Sequence, residues 1–202
     1  LYDQIFALKL PVLFINAIYP NLDCPCIRID DVKIGEEAVN YLIQQGHKKI
    51  GCILQVDDIQ GHLRYSGFVK GLNNANIYCE QEQICWIDAV SYQNPDPLFS
   101  YFLTRLHDCT AIVCYNDFIA RKFIDFCKKN GIRVPEDFSV IGVDDADFSV
   151  NLEPALTTFK HPQYNLGELA AKSILKMTNN VDFDANYLFQ SQLIIRDSVK
   201  RI

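Results

Sequence analysis

A chain of 202 residues holds one large domain or two small lobes, and 49% hydrophobic with 22% charged residues is the composition of an ordinary soluble globular protein. Its apolar runs are far too short to cross a bilayer, which argues against a helical membrane protein. A formal charge of −6 argues against direct nucleic-acid binding, because phosphate neutralisation needs a basic face.

The compact basic clusters, His47-Lys48-Lys49 and Lys128-Lys129, fall near expected helix ends, where cations favour the helix dipole. Eight cysteines include no Cys-x-x-Cys pair, and the four histidines are scattered, so zinc is not expected. Cys52, Cys114 and Cys127 sit in apolar segments as small buried hydrophobes, and thiols in this number point to a reducing cytoplasm. The start at Leu1-Tyr2-Asp3-Gln4 has no Met and falls in mid-pattern, so the missing leader weighs little.

In chain order, Val12-Leu13-Phe14-Ile15 reads as a buried strand ending at Asn16. A loop with two prolines, Ala17 to Pro25, leads to a short strand Cys26 to Ile29 and to Asp30-Asp31. Asp31 is placed to cap a helix carrying Ile34, Ala38, Tyr41 and Leu42, which Gly46 stops. Ile50 to Leu54 is the next strand, followed by a polar loop and a helix with Tyr65, Phe68, Val69 and Leu72 on one face. Gln83 to Ile87 and Ala111 to Tyr115 are strands, each followed by a helix, the second ending at Gly131. Phe138 to Val143 is an apolar run that stops abruptly at Asp144-Asp145. Leu156 to Lys160 looks extended, an apolar helix with Leu166, Ala170, Ile174 and Met177 follows, and Tyr187–Phe189 with Leu193–Arg196 form a last strand region after the loop Thr178 to Asn186.

Strands alternating with helices of this length imply βαβ units and a parallel sheet, hence an α/β fold. Ligands of such sheets gather at the carboxyl ends of the strands, which here carry Asn16, Asp30, the polar loop after Leu54, Asn116 and Asp144. Amides and carboxylates without a metal cluster suit a polyhydroxylated molecule, each hydroxyl being donor and acceptor at once. Arg64 lies in the first turn of the helix after the polar loop and adds a guanidinium fork.

Three sets of residues resemble the effector domain of the lac/galactose (LacI/GalR) repressor family: Gly46-His47-Lys48-Lys49-Ile50, Arg64-Tyr65-Ser66-Gly67-Phe68, and Thr110-Ala111-Ile112 with Asn116 to Ala120. Gly131 to Asp137 running into Gly142-Val143-Asp144-Asp145, Pro154 to Thr158, and Leu193 to Ser198 continue the match in the family's order. Val56 to Gly61, Cys114 to Asp117 and Lys160-His161-Pro162 are most similar to the arabinose-responsive members, which join this domain to a winged-helix DNA-binding domain of the gluconate-repressor type. The chain departs from the pattern at Asn16, where the family more often has an acid, and at Val143, where it more often has an aromatic.

The resemblance implies a type I periplasmic-binding-protein-like fold with two parallel-sheet lobes joined by crossovers. Residues 1–46 and 161–180 would form a first, incomplete lobe, and 47–160 with 181–202 the second. It further implies a small sugar effector between the lobes, L-arabinose first, that weakens operator binding, and a cytoplasmic homodimer holding DNA only through a separate N-terminal domain. No cofactor, metal, membrane contact or catalytic role is expected. Carried over by position, the ligand contacts fall on Asn16, Asp30, Arg64, Asn116 and Asp144, with Asp58, Gln60 and His161 added from the arabinose-like segments.

Other roles stay open beside these. Arg64 can be a solvated helix arginine, Asp30 a partner of Arg28 or a cap, His161 a hinge brace, and Trp86 and Tyr19 packing residues rather than sugar platforms. Asn116 and Asp117 can both cap a helix, with Asp117 expected to cap and Asn116 to reach ligand. A transport binding protein of the same fold is the alternative. An enzyme is disfavoured, because the nine glycines form neither a dinucleotide fingerprint nor a phosphate loop and no serine sits on a nucleophile elbow. Elements that family members carry before the position of Leu1 would complete the first lobe, so this segment alone is expected to bind sugar weakly.

Overall fold

A computed structural model describes residues 2–19, 21–179 and 181–202. Leu1, where the chain starts, the loop proline Pro20, and Asn180 of the 178–186 loop lie outside the described residues. The chain divides into two compact units, Leu1–Asp30 with Pro162–Ser191, and Asp31–His161 with Gln192–Ile202.

The first unit holds helix α1 (Tyr2–Ala7) and strands β1 (Phe14–Ile15) and β2 (Cys26–Ile29). In the second unit the elements run α2 (Asp31–Gln44), β3 (Ile50–Gln55), α3 (Ile59–Asn74), β4 (Ile84–Ile87), α4 (Asp96–Arg105), β5 (Ala111–Cys114), α5 (Asp117–Lys129), β6 (Ser139–Asp144) and β7 (Thr157–Lys160). Helix α6 (Gln163–Thr178) and β8 (Tyr187–Phe189) return to the first unit, and β9 (Gln192–Ile194) to the second. None of the described helices is long and apolar enough to cross a membrane.

The first unit's sheet runs β1-β2-β8, all parallel, with Ile15 opposite Ile27 and Ile29 opposite Phe189. Ile27, Leu166 and Ala170 form its small core, so α6 covers β2 with the apolar stripe that the sequence spacing shows. Tyr19 packs at the surface against Tyr2 and Phe14.

The second unit's sheet runs β4-β3-β5-β6-β7-β9, parallel except for the antiparallel pair β7–β9. Its central strands β3, β5 and β6 are buried almost throughout, which is why they read as unbroken apolar runs rather than alternating ones. Between this sheet and helices α4 and α5 lies a core with Ile53, Phe99, Phe123 and Val140, in which the rings of Phe99 and Phe123 meet edge to face at 5.3 Å. Cys52, Cys114 and Cys127 are buried free thiols, and burial holds each well above the ordinary thiol range. Trp86 lies within β4 against Tyr65, a packing role. Lys128 and Lys129 end α5 as expected, and Lys49 pairs with Glu80 at 3.2 Å.

Two expectations differ from the structure. Helix α2 was assigned to the first lobe, but it packs along α3 and belongs to the second unit. The reason is close approach. A Cβ on Gly67 of α3 would fall 1.9 Å from the Val32 carbonyl oxygen, and one on Gly35 of α2 would fall 2.2 Å from that of Arg64. The two helices touch backbone to backbone there, and only glycine fits. The last strand region also divides: β8 pairs with β2, whereas β9 pairs with β7, so 181–191 belongs with the first unit.

Gly67→Ala should therefore cost at least about 2 kcal/mol through overpacking. Urea unfolding checks this, and a midpoint unchanged from wild type would show that the helices part freely.

Candidate functional site

The polar strand ends of the second unit come together. Gln60, Arg64, Tyr115, Asn116, Asp144 and His161 line one small cavity of about 140 Å³. Every lining residue belongs to the second unit, and each is placed by the end of a strand or the start of a helix.

Asp58 opens α3. Its extended backbone and carboxylate cap the helix, accepting from the Gln60 N–H at 3.0 Å, and its other oxygen accepts from the Tyr115 hydroxyl. Asp58 thus sets the direction of α3, and with it the position of Gln60 and Arg64, which are four residues apart on one helix face. It is a support of the site, not one of the cavity's lining residues.

Arg64 is 4% exposed. Its Nε donates to Asp31 Oδ1 at 2.8 Å, its Nη1 donates to the Tyr115 carbonyl, and its guanidinium stands 5.0 Å from the centre of the Tyr115 ring. The alternative of a solvated helix arginine is therefore excluded. Nη2 makes no hydrogen bond to protein among the described residues, so one edge of the fork remains for another oxygen. Asp31 was read only as a helix cap; it is the buried counter-charge of Arg64. Burial pushes its carboxyl upward against the pull of that arginine.

At the end of β5, Asn116 takes the cap expected of Asp117 in addition to its own place in the cavity. Asn116, not Asp117, caps α5: its Oδ1 accepts from the Ile119 N–H at 3.0 Å. Asn116 lines the cavity as well, and its Nδ2 donates to the Tyr92 hydroxyl at 2.9 Å. Asp117 points away from the helix end. It accepts from Ser149 Oγ at 2.6 Å, from the Ala146 N–H at 2.9 Å and from Thr158 Oγ1. A Cβ at residue 142 would meet Asp117 Oδ1 at 2.2 Å, so Gly142 of β6 is what admits this carboxylate.

Asp144 ends β6 with φ +126°, a conformation that L-residues rarely adopt. Its carboxylate accepts no hydrogen bond from protein among the described residues, although it is largely sheltered from solvent. Burial lifts its carboxyl from 3.8 to about 6; the charge of Arg64 opposes that rise, and those of Asp117 and Asp31 add to it. Asp145 turns away with φ +53° and pairs with Arg196, the turn role expected for it together with an ion pair. The His161 N–H donates to the Asp144 carbonyl at 3.2 Å, and burial and Arg64 together depress the imidazole, leaving it neutral at pH 7.

The first unit holds the other two candidates at neighbouring strand ends. Asn16 follows β1 with φ +53° and accepts from the Ile29 N–H at 3.3 Å. Asp30 follows β2 and accepts from Gln190 Nε2 at 3.4 Å. Asp57 anchors a loop by accepting from the Ala89 N–H at 2.8 Å. Sequence reasoning missed Asp31, Tyr115 and Tyr92. The position of Tyr115 at a strand end was a usable signal, whereas nothing local marks Asp31 as the partner of Arg64. Among the described residues no three His, Cys, Asp or Glu side chains are grouped to hold a metal. The cavity offers a carboxylate, one guanidinium edge, an amide and a neutral imidazole, which together can pair the hydroxyls of a small polar molecule.

Residues 39–199 match the family of periplasmic binding protein-like domains. The chain is 32% identical, over its whole length, to the arabinose metabolism transcriptional repressor of Geobacillus stearothermophilus. Over 94% of its length it is 34% identical to the repressor of the same name from Halalkalibacterium halodurans. It spans 57% and 52% of those two proteins, about half the length of each. A crystal structure of a sugar-binding transcriptional regulator of the LacI family from Escherichia coli, complexed with phosphate, covers all of this chain with 25% identity and a TM-score of 0.87, the chain covering 72% of it. The chain belongs to the family of periplasmic binding protein-like domains and, within it, to the LacI/GalR type.

Proposed function

We propose that this chain is the effector-sensing part of a cytoplasmic transcriptional repressor, that its effector is a small sugar with L-arabinose first, and that operator DNA is held by another domain of the whole protein. The observation that carries the reading is the sheltered Asp144 carboxylate, without a protein hydrogen bond among the described residues, in one cavity with the free edge of the Arg64 fork. A sugar hydroxyl satisfies both at once, donating to the carboxylate and accepting from the guanidinium. Gln60, Asn116 and His161 supply further pairing in the same cavity. The arabinose assignment rests on the names of two relatives at 32% and 34% identity. Assembly as a homodimer and the absence of catalysis belong to the same proposal.

An effector lowers operator affinity only if it binds one conformation of the protein better than another, and linkage then makes the effect reciprocal. Titration of the intact protein with L-arabinose in a calorimeter tests the reading, and no heat with arabinose or related pentoses would overturn it. Asp144→Ala should abolish the response to effector while operator binding, read by gel shift, stays as in wild type. Loss of both together would make Asp144 a structural residue.

The ionisation of Asp144 adds a pH dependence. Its carboxyl titrates at about 6 in the fold, so the charged acceptor is present above that pH and lost below it. Effector affinity should fall about tenfold per unit as pH drops below about 6, in calorimetry across the range. The linked effect on stability has the opposite sense. The folded value lies above the ordinary carboxyl value of 3.8, so the group contributes stability that is full below about 4 and is lost as pH rises through about 6. At neutral pH, Asp144→Asn should therefore stabilise the ligand-free protein, by up to about 3 kcal/mol at 1.36 kcal/mol per unit, while removing stabilisation by effector. Thermal melts with and without sugar read both effects.

A further inference from the structure

Beside the cavity, the loop after β4 carries a group that the sugar reading does not use. Tyr92 stacks on Phe118 with ring centres 5.2 Å apart and planes 13° from parallel, and Lys122 lies 4.9 Å from the Phe118 ring centre while donating to the Gln93 carbonyl. Asp88 closes the loop on itself by accepting from the Ser91 N–H at 2.7 Å, and Asp57 holds the Ala89 N–H. A loop tied at so many points presents the Tyr92 hydroxyl at a fixed place.

The partner of that hydroxyl is the Asn116 amide, whose orientation is chemically determined. The Ile119 N–H can only donate, so the atom facing it must be the amide oxygen. The other end must then be the NH2 group, and a phenol oxygen 2.9 Å from it can only accept. One of the two amide protons is spent on Tyr92, the other remains for the cavity, and the oxygen is closed off by the helix cap. Asn116 therefore has an N–H donor left to offer the cavity. Asp144 is the carboxylate that lines the same cavity as Asn116.

We propose that Tyr92 is a specificity-determining positioning residue: by holding one NH2 proton of Asn116, whose orientation the Ile119 N–H sets, it directs the other proton into the cavity that Asp144 also lines, so that a free hydroxyl is required at that corner of the effector. An ether oxygen, a carbonyl or a deoxy carbon cannot accept from Asn116 and donate to Asp144 together. A site that lacks the matching group leaves buried polar atoms unpaired, so it discriminates strongly. The inference rests on the sugar reading for its ligand, but the lock itself is a property of the ligand-free protein.

The experiment uses the intact protein in two arms. Without sugar, side-chain amide NMR should show the Asn116 NH2 pair as two well-separated, slowly exchanging protons that converge in Tyr92→Phe; the same pair in both proteins would overturn the lock. With sugar, calorimetry compares L-arabinose with its singly deoxygenated and O-methylated analogues. Tyr92→Phe keeps the stacking ring and should melt like wild type, yet bind arabinose roughly tenfold more weakly and lose part of the discrimination against one deoxy analogue. Asn116→Asp keeps a good helix cap and removes the donor, so it should bind more weakly still. Wild-type affinity and unchanged analogue discrimination in both variants would overturn the proposal. Absence of sugar binding in the wild-type protein would strike the effector reading, and the NMR arm would still decide the lock.

Discussion

The buried guanidinium of Arg64 is the constraint on which the rest of the second unit depends. A charge taken out of water costs several kcal/mol unless it is paired and its donors are used. Asp31 and the Tyr115 carbonyl meet that requirement on two of its nitrogens, and they come from the start of α2 and the end of β5. The ion pair can form only because α2 lies directly against α3, which in turn requires glycine at positions 35 and 67. Helix packing, strand register and the cavity edge are thus consequences of placing one cation. The pair itself is weak evidence for stability; what it secures is the direction of the remaining guanidinium edge.

Two acids at adjacent strand ends show how a carboxylate used within the fold differs from one that lines a cavity. Asp117 receives three hydrogen bonds from Ser149, Ala146 and Thr158, which together tie α5 to the loop after β6 and to β7. Nothing is left for a ligand to supply. Asp144 is only partly buried, accepts no hydrogen bond from protein among the described residues, and sits on a backbone with positive φ. Strain together with an unpaired polar group is tolerated where a partner completes the set, and such features collect at functional sites.

Much of this was legible in the sequence because it is local. The apolar runs of β3, β5 and β6 mark strands buried on both faces, and Gly46, with φ +100°, stops α2 as its position implies. Asp144 stood out because a buried strand ended on it. The features that escaped are those that sequence spacing does not encode. The Asp31–Arg64 pair joins residues 33 apart, and the helix pair that brings them together was not visible as a pair. Asn116 and Asp117 are both good caps, and what separates them is the space that Gly142 makes for one carboxylate across the sheet. The division of the last strand region between β8 and β9 is likewise decided by which strand edge each short segment meets, not by its own propensity.

Asp144 also joins recognition to the path of the chain. Its side chain belongs to the cavity, while its carbonyl holds the His161 N–H. His161 is the last residue before the chain passes to the first unit at Pro162, and its ring lines the same cavity. A ligand oxygen that binds the carboxylate acts on a residue whose φ of +126° is already far from the preferred regions, so small rotations there carry energy. Any such rotation must either keep the bond to His161 and move that residue with it, or break the bond. The residue whose carboxylate lines the cavity and the last residue before the crossing are thus joined by one backbone hydrogen bond.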